Sequence, residues 1–117
     1  MAIASARLKP IAFVPIANTV MVQNVAATKT LVQGIFLHNS HTAAVTITLW
    51  NVPESGGALG TPGNVNRMYN FAIDPDDTVA LDLGKPGWVF EDEYDAVFAV
   101  ADTASAVTIE ISGFLET

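Results

Sequence analysis

The sequence contains no cysteine, and that absence removes disulfide staples, thiolate metal sites and a cysteine nucleophile together. Stability must come from packing. Bases are scarce as well: five Lys and Arg stand against twelve Asp and Glu, a formal net charge of −7. Such a balance repels a phosphate backbone and removes the attraction that drives most nucleic-acid binding, so no nucleic-acid partner is expected. Long hydrophobic runs are missing, because Asn, Thr, Gln and Pro interrupt each one before the roughly 18 apolar residues of a membrane-spanning helix accumulate. No membrane partner is expected. In Met1–Pro10 the bases Arg7 and Lys9 follow the small apolar residues instead of preceding them, which does not read as a secretory signal. Helical periodicity is nearly absent.

What remains is a chain of 117 residues, 50% of them hydrophobic, which suffices for one domain with its own core. Short runs rich in Val, Ile, Thr and aromatics recur between clusters of Gly, Pro, Asn and Asp, the pattern of an all-β protein. In Val45-Thr46-Ile47-Thr48-Leu49-Trp50-Asn51-Val52, residues Val45, Ile47 and Leu49 fall on one face and Thr46, Thr48 and Trp50 on the other, because alternate residues of a strand share a face. Val107-Thr108-Ile109-Glu110-Ile111-Ser112 repeats the device with a cleaner polar side. Strands are expected over 11–16, 19–25, 29–39, 43–53, 64–73, 78–83, 94–101 and 106–115. Eight short strands predict a single antiparallel β-sandwich, jelly-roll-like in form. The turns Asn39-Ser40-His41-Thr42, Asp74-Pro75-Asp76-Asp77 and Asp102-Thr103-Ala104-Ser105 lie between these runs. Pro53–Gly63, with four Gly and two Pro, is read as a mobile or interface loop. Residues 1–10 are read as an N-terminal arm without a partner strand, and 11–117 as the sandwich domain.

Charge is unevenly placed. Residues 1–73 hold Arg7, Lys9, Lys29 and Arg67 against Glu54, whereas 74–117 hold eleven acids against Lys85; such asymmetry permits attraction between subunits.

The succession Lys29–Asn39, Ala44–Trp50, Thr78–Gly84 and Ala106–Gly113 resembles the small β-sandwich virion proteins of tailed bacteriophages, the kind that decorates capsids or builds tail and baseplate parts. The resemblance spans roughly residues 15–115 and consists of strand types and turns, with no catalytic signature. It implies a structural protein located in the virion, a homo-oligomer that is often a trimer, with the major capsid protein or other virion proteins as partners.

His38 and His41 straddle a turn with no carboxylate within ten residues, and Ser40 lies beside them without the Gly-x-Ser-x-Gly elbow of a hydrolase. No catalytic residue and no enzyme activity is expected. Asp74, Asp76 and Asp77, and the run Glu91-Asp92-Glu93-Tyr94-Asp95, could offer oxygens to Ca²⁺ but lack the spacing of a known calcium loop; no metal and no cofactor is expected. Trp50, Trp88, Tyr69, Tyr94 and Phe90 could form a sugar-stacking platform, the alternative being core or subunit contact. Trp88 follows Gly84-Lys85-Pro86-Gly87, read as an exposed turn, and is the preferred anchor. The candidate interface residues are therefore Trp88, Trp50, Arg7, Leu8 and Lys9. The leading expectation is a capsid decoration (cement) protein that stabilises the shell by multivalent contacts; the alternatives are a tail, baseplate or fibre component, or a carbohydrate- or receptor-binding module.

Overall fold

The structure, a computed structural model, describes residues 3–117. Nine strands run in chain order: β1 (Ile3–Phe13), β2 (Thr19–Gln23), β3 (Lys29–Asn39), β4 (Val45–Val52), β5 (Arg67–Ile73), β6 (Thr78–Asp82), β7 (Trp88–Phe90), β8 (Ala96–Ala101) and β9 (Val107–Glu116). No helix occurs among the described residues. The first sheet has the order β1-β9-β3-β6, with the short β7 also pairing β3; the second has the order β2-β8-β4-β5. Every pairing is antiparallel.

The pairing is nested. Strand β1 pairs β9, β2 pairs β8, β3 pairs β6, and β4 pairs β5. The chain is thus one long hairpin, closed between β4 and β5, whose doubled arm winds across both sheets. That is the jelly-roll arrangement, and it gives the all-β sandwich expected from the alternation.

Inward residues of both sheets meet in one core. From the first sheet come Val32, Ile35, Leu37, Ile109 and Ile111, and from the second Val45, Ile47, Leu49, Val97 and Ala99. Each Ile, Leu or Val withdrawn from water contributes about 1.5–3 kcal/mol. A register shift between Val32 and Gly34 changes which alternate residues of β3 point inward, from Thr30 and Val32 to Ile35 and Leu37. Strand β8 is buried on both faces: Val97, Ala99 and Ala101 enter the main core, while Ala96 and Phe98 join Trp50 and Val52 in a second apolar cluster behind the sheet.

Two buried asparagines fasten the loops at either end. Asn39 donates from Nδ2 to the carbonyls of Ala43 (3.0 Å) and Ile73 (2.8 Å) and accepts at Oδ1 from the His41 amide (2.8 Å). Asn24 donates to the carbonyls of Thr28 (2.8 Å) and Asp92 (3.1 Å) and accepts from the Thr30 hydroxyl (2.7 Å). A primary amide suits such corners because it offers donors and an acceptor on one short stem.

Two expectations require correction. The segment read as a free N-terminal arm is, over Ile3–Phe13, the eleven-residue edge strand β1, paired to β9 from Ile3↔Glu116 to Phe13↔Thr108. Small residues, two bases and Pro10 hide its strand character. They suit an edge, where one side of the backbone needs no partner and a proline loses no ladder bond. Trp88, read as the tip of an exposed turn, opens β7 opposite Val32 and packs half-buried against the main core. Gly87, at φ 83°, makes the turn into it, and a Cβ there would collide with the Val32 carbonyl. The segment Pro53–Gly63, read as a mobile or interface loop, carries bonds of its own: Ser55 and Ala58 pair, the Gly63 amide donates to Asn66 Oδ1 (2.9 Å), and Asn66 Nδ2 donates to the Thr61 carbonyl (3.1 Å).

Candidate docking face

The two sheets differ on their outer sides. Behind the second sheet, Trp50 lies directly opposite Phe98 and is only 8% exposed, with Val52 and Ala96 beside it and Val20 and Val100 at the margin. Around Trp50 and Phe98 that side is closed over by its own apolar residues, while Asn70 and Ala72 of β5 stay exposed. No such layer lies over the first sheet.

The outer face of the first sheet follows from the strand alternation and the register. Strand β9 presents Thr108, Glu110 and Ser112, since Ile109 and Ile111 point inward; β3 presents Phe36 and His38 for the same reason. Strand β6 adds Thr78 and Ala80 opposite those two residues, with Asp82 next along the same side. Strand β1 adds Ser5, Arg7 and Phe13 opposite Phe114, Ser112 and Thr108. Three adjoining shallow depressions, of about 500, 350 and 140 Å³, cover this surface, and Phe36 borders the second and third. Their floor is made of small residues such as Gly34, Ala80 and Ser112. The Phe36 ring lies over Gly34, where an added Cβ would approach its Cε2 to 3.3 Å.

Among the described residues, half of the exposed large hydrophobics stand on this face, while Ile16, Val25, Leu59 and Val65 lie in loops and Met68 on β5. Ile3 (62%), Ile11 (65%), Phe13 (50%), Phe36 (42%) and Val89 (37%) all stand on this side. Scattered single residues of this kind are ordinary; five on the outer side of one sheet, which no further layer covers, make that side the candidate interaction surface. The face also carries polar side chains, those of Ser5, Arg7, His38, Thr78, Asp82, Thr108, Glu110 and Ser112, and two pairs among them are tied: Arg7 Nε pairs Glu110 Oε2 at 3.0 Å, and His38 Nδ1 shares a hydrogen bond with Thr78 Oγ1 at 2.8 Å.

The structure redistributes the residues singled out from sequence. Arg7 lies on the open face with its side chain 64% exposed. Leu8 turns into the main core at a register shift of β1 and touches the Gly113 region, so it is a packing residue of the chain itself. Lys9 is half-buried at the edge, opposite Ile111. Trp50 is enclosed in the second cluster, and Trp88 stacks on Tyr69 of the opposite sheet with ring centroids 6.2 Å apart and an interplanar angle of 29°. Of the five aromatics considered as a platform, Phe90 is in the core and only Tyr69 and Trp88 come together.

The polar candidates serve local structure. Ser40 Oγ donates to the Ala106 carbonyl (3.1 Å), and His41 Nδ1 accepts from the Ala43 amide (3.2 Å). The Asp95 carboxylate accepts from the amides of Glu54 (2.8 Å), Glu91 (3.2 Å) and Asp92 (3.1 Å), joining the long loop to the β7–β8 turn. In the β5–β6 turn Asp76 takes a positive φ of 60° and its amide donates to the Asn39 carbonyl (2.8 Å). Among the described residues no three His, Asp or Glu side chains converge as a metal site would require.

Sequence reasoning missed the open face, because it is assembled from β1, β9, β3 and β6, strands far apart in the chain. The one local signal was the polar side of 107–112. Compared with protein-family models, curated proteins and solved structures, the chain matches none.

Proposed function

We propose that this chain is a structural protein of a tailed-phage particle, with no enzymatic role, and that it acts as a capsid decoration protein holding neighbouring shell subunits through repeated contacts. One observation carries the reading: a jelly roll whose first sheet leaves a broad face open, on which Ile3, Ile11, Phe13, Phe36 and Val89 stand exposed among short polar and charged side chains. A face of this kind buries apolar area at about 25 cal/mol per Å² when a partner covers it, and it needs neither a cleft nor a titrating group to do so. Weak single contacts repeated with the symmetry of a shell give high avidity. The resemblance of the strand and turn succession to virion β-sandwich proteins supports the same assignment, and a tail, baseplate or fibre position is the variant reading. An antibody raised against the purified chain, applied to density-banded particles from its source, is expected to label the shell at many regularly spaced points. Label confined to the tail would move the protein there, and particles free of the chain would overturn the virion assignment.

A further inference from the structure

Four residues form one row across the open face. Arg7 on β1 lies opposite Ser112 on β9, Ser112 opposite Gly34 on β3, and Gly34 opposite Asp82 on β6. The row therefore has a cation at one edge of the sheet, an anion at the other, and two small residues between them.

We propose that this face pairs with the same face of a second copy, about a two-fold axis that lies in the contact plane and runs along the strands between β9 and β3. This rests on the reading of the face as an assembly surface and names its partner. The axis turns the row end for end, so Arg7 of each copy falls over Asp82 of the other, giving two equivalent ion pairs. The guanidinium has five N–H donors and a single carboxylate cannot use them all, so the intramolecular contact to Glu110 is compatible with a second acceptor. The next register level agrees: Phe114 on β9 lies opposite Leu31 on β3, and the same rotation sets Phe114 of one copy over Leu31 of the other. A two-fold axis lying across the strands through the row would instead place Arg7 over Arg7 and Asp82 over Asp82, which like-charge repulsion disfavours.

Area and edge chemistry favour this mode. Four strands about 4.8 Å apart and about nine residues long at about 3.4 Å each present roughly 600 Å² per copy, about 1,200 Å² for the pair, the lower end for a specific complex. A dimer dissociating in the micromolar range is the corresponding affinity. Strand addition along the free edge of β1 is disfavoured by Pro10, Lys9 and two register shifts, which spoil the edge as a template.

The test uses the purified chain alone, so its failure is separable from failure of the virion assignment. Sedimentation or light scattering over roughly 1–200 µM, a range bracketing that affinity, is expected to show a monomer–dimer equilibrium. Arg7→Asp and Asp82→Arg should each weaken it at least about tenfold, since each opposes like charges twice. An equimolar mixture of these two variants should dimerise again, because both of its edge pairs are then complementary. Asp82→Asn, which keeps an acceptor for the Gly84 amide, should weaken pairing less than Asp82→Arg, and Phe36→Glu should abolish it, since the axis sets residue 36 of each copy over Glu110 of the other; circular dichroism checks that each variant is folded. A monomer throughout, a trimer, a mixture no better than its components, or a dimer that survives Phe36→Glu would each overturn the proposal.

Discussion

Replacing Asn39 with alanine removes three hydrogen bonds from a wholly buried side chain. The His41 amide and the Ala43 carbonyl lie in an exposed turn and can recover water, so those two losses cost about 1 kcal/mol or less each. Ile73 is 1% exposed, and its carbonyl loses a donor where water does not reach, at about 1–3 kcal/mol. The expected total is about 3 kcal/mol, which for a domain of 117 residues lowers Tm by roughly 10–15 °C. Urea unfolding followed by tryptophan fluorescence measures it, with the slope m unchanged if the unfolded state is the same. Asn66→Ala is the control, since it removes bonds of similar length at an exposed site and should cost less than about 1 kcal/mol. Equal losses for the two variants, or an Asn39→Ala loss under about 0.5 kcal/mol, would refute the argument that burial decides the cost.

Trp88→Ala should destabilise the chain by about 2 kcal/mol, because the ring is half-buried and stacked on Tyr69; an unchanged urea midpoint would show that the ring is dispensable to the fold. Deleting residues 1–10 should lower Tm by more than about 10 °C, since β9 loses most of its partner and Leu8 leaves the core; a truncated chain melting normally would restore the view of this segment as an arm. Gly113→Ala should yield little soluble protein, because the added methyl meets the Leu31 carbonyl of a neighbouring backbone that cannot yield; normal expression with a normal Tm would count against the packing of β9 on β3.

Sequence alternation located β3, β4 and β9 closely because each has one face in the core and the other in a different environment. Strand β1 escaped because it is exposed along most of its length and so carries no alternation to read. Strand β7 escaped because three residues are too few to show a period. Alternation set Trp50 opposite Ile47, as observed, but whether that side is covered depends on Phe98, nearly fifty residues on in β8. The open face is a property of register between distant strands: nothing in Arg7 or Asp82 taken alone signals that they close the two ends of one row. Local chemistry dictates which residues form strands, and tertiary pairing dictates which of their faces remain uncovered.

The nested pairing also has a consequence for synthesis. Strand β1 leaves the ribosome first, yet its only ladder partner is β9, roughly 90 residues later, an interval of about 5–20 s at ordinary elongation rates. Strands β4 and β5 pair across a single loop, whereas the β3–β6, β2–β8 and β1–β9 pairings span successively longer stretches of chain. During that wait Ile3, Ile11 and Phe13 are carried on a strand that has nothing to pair with. Pro10 and Lys9 thus serve the nascent chain as well as the finished sandwich, by making the waiting segment a poor template for a neighbour's strand.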